Sequence, residues 1–306
     1  MSRIHEALEK AAKERSANLL GGESGDPSEV LVEIHGQARA EASIANRAEQ
    51  QRILAVGNQA GPLRYEELVK RCSHSKWEID ARPNIFQRPG VRNGGAERFR
   101  TLRSRLYQIA STRTLRRLLI TSSIPAEGKT FVTANLAQSI VQQSERRVLI
   151  IDADLRSPRV HVELGAPNRP GLTDYLRGEA NEFTAIQRGA RENLFLIPAG
   201  SEASNPSELL LSQRMKDLLD LVTPIFDWII IDSPPVLPVH DASILADLTD
   251  GVLLVVRAGS THAEVAEKVA GEFREKNLLG VVLNRVEKSD SYGSDYYSNY
   301  SAERSE

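Results

Sequence analysis

Six short runs of Ile, Leu and Val recur along the chain: LRRLLITS (115–122), RVLIIDAD (147–154), NLFLIPAG (193–200), DWIIIDSP (227–234), GVLLVV (251–256) and LLGVVLN (278–284). Each is apolar at consecutive positions. A strand with one wet face alternates apolar and polar residues, so consecutive apolar positions mark strands covered on both faces, as in a parallel sheet. Parallel strands need crossover connections. TFVTANLAQSIVQQ (130–143) and ELLLSQRMKDLLDLV (208–222) carry the helical period that suits them. The expected class is α/β, a doubly wound, mostly parallel sheet spanning about residues 95–286.

The flanks read differently. In residues 1–90, Ile4, Leu8 and Ala11 or Ala12 fall at the spacing of a short amphipathic helix. GGESGDPSE (21–29) and RPNIFQRPGVRNGG (82–95) break regular structure, and large apolar residues are few. This is an irregular and helical N-terminal extension without an evident core of its own. The other flank, residues 287–306, is a polar tail with Tyr292, Tyr296, Tyr297 and Tyr300, four of the chain's seven tyrosines.

Bulk properties narrow the classes. A formal charge of −2 gives no electrostatic reason to expect nucleic-acid binding. A single cysteine, Cys72, excludes an intramolecular disulfide and fits a reducing compartment. MSRIHEALEKAAKERS lacks the apolar centre of a signal peptide, and no run approaches the length of a membrane span. The expectation is a cytoplasmic protein.

LLITSSIPAEGKTFVTANLA starts as a strand, turns and enters a helix. Within it SIPAEGKT (123–130) matches the phosphate-binding pattern GxxxxGK[ST], with Ser123 in place of the first glycine. Gly128 lets backbone amides approach phosphates, and the helix N-terminus adds partial positive charge. Lys129 can reach the terminal phosphates, and the Thr130 hydroxyl suits a magnesium ion. The plain alternative is a turn that happens to contain Gly-Lys-Thr. DWIIIDSPP ends a strand with Asp232, where a Walker B carboxylate stands; a strand-stopping Asp before Pro234 is the alternative. RVLIIDADLR ends another strand with Asp152 and Asp154, with Arg156 two residues on. On an extended chain these three side chains can share one face, two carboxylates and a guanidinium aimed at the phosphate side; the plain alternative is acidic residues solvating a loop.

Together, SIPAEGKT, LIIDADLR and IIIDSPP resemble the Walker A, A′ and B set of the bacterial tyrosine kinases, the cytoplasmic autokinases of polysaccharide synthesis and export systems. The A′ pattern, three apolar residues and then DxDxR, is met by Leu149, Ile150, Ile151, Asp152, Asp154 and Arg156. The tyrosine tail and GSEASNPSELL (200–210) are similar too, so the resemblance covers roughly residues 95–300. It implies a P-loop NTPase fold of the MinD/ParA type that uses ATP and Mg²⁺.

The resemblance also implies roles. Ser123, Ala126, Glu127, Gly128, Lys129, Thr130, Phe131 and Arg156 would line the nucleotide. Thr130, Asp152, Asp154 and Asp232 would face the metal directly or through water. Lys129, Asp152, Asp154 and Asp232 would be catalytic, with Asp152 orienting the tyrosine hydroxyl and taking its proton. Tyr292, Tyr296, Tyr297 and Tyr300 would be the phosphoacceptors. Fifteen residues beyond Val286 stretch at most ~50 Å, enough to offer them to a neighbouring subunit. Asn284 either borders the adenine or is an ordinary strand-end residue. In AERFRTLRSRL, Glu97, Arg100 and Arg103 lie on one helical face. That face is either simply solvated or, as the resemblance implies, the contact that closes a ring of subunits. The implied partners are a membrane-embedded polysaccharide copolymerase as activator, holding the protein at the inner face of the membrane, and a tyrosine phosphatase.

Two other functions stay open. A MinD/ParA-type switch ATPase would use the same loop, usually in the form KGGxGK[ST], which this chain does not show. A nucleotide-dependent scaffold without transfer activity is the other.

Overall fold

The computed structural model describes residues 63–78, 84–87, 94–189 and 191–286. All fall within the unit Pro62–Glu306. The expectations for residues 1–62 and for the tyrosine tail lie outside the described residues.

The strands are β1 (Ser73–His74), β2 (Arg117–Ser122), β3 (Val148–Asp152), β4 (Gln187–Arg188), β5 (Leu194–Ile197), β6 (Trp228–Asp232), β7 (Gly251–Arg257) and β8 (Leu278–Asn284). The helices are α1 (Tyr65–Arg71), α2 (Gly94–Ala110), α3 (Lys129–Ile140), α4 (Val160–Leu164) and α5 (Leu172–Arg177). They continue with α6 (Glu182–Ala185), α7 (Pro206–Leu211), α8 (Gln213–Val222), α9 (Asp241–Ala246) and α10 (Ala263–Arg274).

One eight-stranded sheet runs in the order β1-β4-β5-β3-β6-β2-β7-β8. Every pairing from β5 to β8 is parallel, and the exception is β4 against β5. All six apolar runs are strands. Leu119, Leu149, Ile151, Ile229 and Ile231 belong to one core, while Leu118, Ile120, Val148, Ile150 and Ile230 belong to the other. Neighbours along one strand therefore feed opposite layers, which is why β3 and β6 are apolar up to their final Asp. Burying each such side chain contributes about 1.5–3 kcal/mol.

α2, α3 and α4 cover one face of the sheet. α3 is buried on nearly every side, between α2 and α4, and its buried residues include the polar Asn135 and Gln138 beside the apolar ones. The opposite face carries α8, whose Met215, Leu218, Leu219 and Val222 form the apolar stripe expected from its period. The segment predicted as one helix from 208 is split: α7 ends at Leu211, and the Ser212 hydroxyl accepts the Met215 amide to start α8.

Residues 63–78 and 84–87, which the sequence assigns to the extension, pack on this body. Leu68 is fully buried in the α8 layer, and β1 pairs in parallel with β4. Asn84 donates its side-chain amide to the Glu163 carbonyl at 2.7 Å, and the Ile85 amide donates to the Asn135 side chain at 2.9 Å. Among the described residues no helix is long and apolar enough to cross a membrane.

Candidate active site

The crevice lies at the carboxyl ends of β2, β3 and β6, where doubly wound sheets bind their ligands. Register builds it. Asp152 on β3 and Ile120 on β2 are both paired with Asp232 on β6, so two carboxylates end adjacent strands at the same level. The loop after β2 then curls through two left-handed residues, Ala126 (φ 66°) and Gly128 (φ 94°), before α3 starts at Lys129. Such curled backbone forms concave, anion-binding nests. Gly128 is needed twice over, because a Cβ there would also lie 2.1 Å from the Asn284 amide nitrogen.

Lys129 Nζ stands 2.7 Å from Asp154 Oδ2 and 3.6 Å from Asp232 Oδ2. Thr130 Oγ1 donates to Asp232 Oδ2 at 2.8 Å. Asp232 is fully buried, and its other oxygen accepts the Thr133 hydroxyl at 2.9 Å. Asp154 Oδ1 accepts the Ser157 amide at 3.0 Å. Asp152, also fully buried, accepts the amides of Asp154, Arg159 and Val160 at 3.3, 3.2 and 3.0 Å.

The charges are unbalanced. Burial alone would lower the pKa of Lys129, but Asp232 and Asp154 outweigh it, and the ammonium is held above the usual lysine value. Burial, followed by the charge of Asp232, pushes Asp152 well above the carboxylate range. Burial raises Asp232 as well, against the opposing pull of Lys129 and the two threonine hydroxyls. Two buried carboxylates, Asp154 and Asp232, facing one ammonium leave negative charge that a divalent cation would match. Among the described residues no three Asp, Glu, His or Cys groups converge closely enough to hold a metal alone. Mg²⁺ takes one or two carboxylates and leaves its other positions to water and phosphate oxygens; Asp154, Asp232 and the Thr130 hydroxyl are the groups that could hold it. The Ser123 hydroxyl is buried at the mouth of the loop with no partner among the described residues.

Residues 119–302 match the family model described as the CobQ/CobB/MinD/ParA nucleotide binding domain. Tyrosine-protein kinase YwqD of Bacillus subtilis is 35% identical over 218 residues, covering 70% of this chain and 91% of that protein. The chain belongs to the bacterial tyrosine-kinase family. Tyrosine-protein kinase wzc of Salmonella typhimurium is 35% identical over 202 residues, but the match spans only 28% of that protein. Among solved structures, the kinase domain of the Escherichia coli tyrosine kinase ETK superposes with a TM-score of 0.60 at 29% identity, covering 76% of this chain and 99% of that one. The cell-division ATPase MinD of Pyrococcus furiosus reaches 0.50 at 30% identity, covering 57% and 74%.

Several residues singled out from the sequence of this kinase-family chain take unexpected places. The expectation that Asp152, Asp154 and Arg156 share one face needs correction, because β3 ends at Asp152 and alternation ends with it. Asp152 turns to backbone amides, Asp154 to Lys129, and Arg156 to Asp241 and Ser207. The Glu127 carboxylate braces the loop. It accepts the Ile124 amide at 2.8 Å, the Arg257 amide at 3.2 Å and the Thr261 hydroxyl. Asn284 hooks the same loop through the Glu127 carbonyl at 2.9 Å. The Phe131 ring packs edge-on against Phe99 of α2, 5.9 Å between centroids. On α2, Arg100 pairs with Glu97 at 2.9 Å on the exposed face, and Arg103 donates to the Ser139 carbonyl.

Sequence reasoning missed Thr133, Asp241, Ser207 and Thr261. Only Thr133 carried a signal: it stands one helical turn after Thr130, so both hydroxyls share a face.

Proposed function

We propose that this protein is an ATP- and Mg²⁺-dependent protein-tyrosine autokinase that phosphorylates its own Tyr292, Tyr296, Tyr297 and Tyr300, between subunits, and regulates polysaccharide synthesis or export. The observation that carries the reading is the convergence of Lys129, Thr130, Asp154 and Asp232 at the start of α3, in a chain of this family. The curled loop and the helix N-terminus receive the nucleotide phosphates, with Asn284 bordering the base. Lys129 leaves its two carboxylates for the terminal phosphate. A bound Mg²⁺ would neutralise phosphate charge, held by Thr130, Asp154 and Asp232, with Asp152 behind them. The tyrosine oxygen bonds to the γ-phosphorus as the bridging oxygen departs with ADP, and Asp152 takes the phenolic proton.

Ordinary values constrain that last transfer. Between a tyrosine near pKa 10 and an aspartate near 3.9, complete proton transfer before attack costs about 8 kcal/mol. The raised proton affinity of Asp152 narrows the gap. A loose transition state asks little of the nucleophile, so the proton moves late. Replacing Asp152 with Asn is expected to abolish tail phosphorylation while leaving nucleotide affinity in place; parallel loss of both contradicts the role.

Family relations support the remaining partners: a membrane-embedded copolymerase that activates and localises the protein at the inner membrane face, a ring of subunits joined through Glu97, Arg100 and Arg103, and a cognate phosphatase. The likeness to MinD favours a second reading, a switch ATPase. It predicts release of inorganic phosphate without phosphotyrosine, which one incubation with Mg-ATP distinguishes.

A further inference from the structure

Asp241 opens α9 and is wholly buried, a position a carboxylate keeps only when its charge is matched. Its match comes from a residue 85 positions earlier. Arg156 Nε lies 2.8 Å from Oδ2 and Nη2 lies 3.2 Å from Oδ1, the two-pronged geometry specific to a guanidinium. Ser207 on α7 completes the junction. Its hydroxyl donates to Asp241 Oδ1 at 2.6 Å and accepts Arg156 Nη2 at 3.0 Å. Three segments therefore meet at one guanidinium: the loop after β3, the start of α7, and the helix that follows the Asp232 strand.

That loop is the one carrying Asp154. Residues 153–159 form no regular element. The Ala153 amide donates to the Asp232 carbonyl at 2.8 Å, and the Asp154 and Arg159 amides donate to the Asp152 carboxylate. Ala153 and Leu155 are buried, while the tie from this loop to α7 and α9 runs through Arg156. The Ser157 amide caps Asp154 from within the same loop and travels with it. Moving Arg156 onto a phosphate would strip a fully buried carboxylate of its countercharge, the costly kind of break.

We propose that Arg156 is a positioning residue, clamped by Asp241 and Ser207, which holds the Asp154 loop against Lys129 and is not a phosphate ligand. The use of that loop rests on the nucleotide reading above.

The test uses the full chain with Arg156→Gln, Asp241→Asn, their double substitution, Ser207→Ala and Arg156→Lys. Two quantities are read: the affinity for a fluorescent ATP analogue in EDTA, and the Mg²⁺ concentration that half-saturates its metal-dependent binding. Metal-free affinity should stay unchanged in all five, while the Mg²⁺ requirement rises about 10- to 100-fold in the Arg156→Gln and Asp241→Asn proteins. The double substitution should be no worse than either single one, because both remove the same contact. Ser207→Ala should move the Mg²⁺ requirement in the same direction by less. Arg156→Lys should not restore it, since an ammonium cannot fork.

Weakened metal-free binding in Arg156→Gln with an unchanged Mg²⁺ requirement in Asp241→Asn would make Arg156 a phosphate ligand and overturn the proposal. So would additive effects in the double. If Asp241→Asn does not fold, an unchanged Mg²⁺ requirement in Ser207→Ala overturns it instead. Neither quantity depends on where the phosphoryl group goes. A protein that binds Mg-ATP yet never marks its tyrosines therefore removes the kinase reading and leaves this one standing.

Discussion

Asp232 and Asp154 flank the same lysine but are held in place by different means. Asp232 ends a central strand, and both of its oxygens are gripped by hydroxyls one turn apart on α3. Helix and strand are both deep in the core, so this carboxylate is as fixed as the fold. Asp154 sits in an irregular loop between two buried residues, Ala153 and Leu155. Its amide donates to Asp152, its carboxylate meets Lys129, and at one remove Arg156 on Asp241 ties the loop to α9. On one side the carboxylate belongs to a strand end and its hydroxyl partners to a helix. On the other, a loop anchored in the core by Ala153 and Leu155 also needs a polar clamp to its neighbours α7 and α9. A clamp of this kind can be altered without dismantling the core.

The largest expected effect removes what the two sides share. Lys129→Met deletes the ammonium that stands between the carboxylates of Asp154 and Asp232 at the start of α3. Phosphotyrosine should fall below detection, and nucleotide affinity should drop with it. Retained transfer would mean that neither side of the site acts through this lysine.

A smaller effect sharpens the Asp232 side. Thr133→Val keeps the shape of the side chain and leaves one buried carboxylate oxygen unsatisfied, a loss of about 1–3 kcal/mol in stability by thermal or denaturant unfolding. The Mg²⁺ requirement should rise about tenfold, as for other residues that orient a metal ligand. Thr133→Ser, which restores the hydroxyl, should recover most of both. If Val and Ser behave alike, packing rather than the hydrogen bond fixes Asp232, and the contrast between the two sides disappears.

Much of this was legible in the chain, and the reasons are physical. Strands buried on both faces must be apolar throughout, so β2, β3, β5, β6 and β7 announced themselves. β8 carries the same kind of run but is an edge strand with Val281 and Leu283 exposed, a correction to its reading as a strand covered on both faces. β1 and β4 did not, because two residues carry no periodicity. Lys129, Thr130 and Asp232 were readable, since a loop between a strand and a helix and the end of a central strand fix where side chains point. Arg156 was misread because alternation was carried past the last residue of β3. Its partners, 51 and 85 positions away, leave no local trace. The Glu127 carboxylate ties the loop to the end of β7 through a residue 130 positions away, a contact that likewise leaves no local trace.

The smallest effect lies away from the crevice. Arg100→Glu reverses a guanidinium on the exposed face of α2, where its contact in the chain is the i,i+3 pair with Glu97. Such exposed pairs contribute about 0–1 kcal/mol, so unfolding should barely change. The mass in solution, read by light scattering, should fall if this face joins subunits, and tail phosphorylation should slow with dilution. Unchanged mass removes the ring contact. Arg103 is a less clean probe, because it also donates to the Ser139 carbonyl within the same chain.

The most direct measurement follows the terminal phosphate of γ-labelled ATP after incubation with the purified full chain and Mg²⁺. The account predicts acid-stable label on tyrosine within residues 292–300, absent from the Lys129→Met protein. Label that appears only as inorganic phosphate, with those tyrosines unmodified, would contradict it.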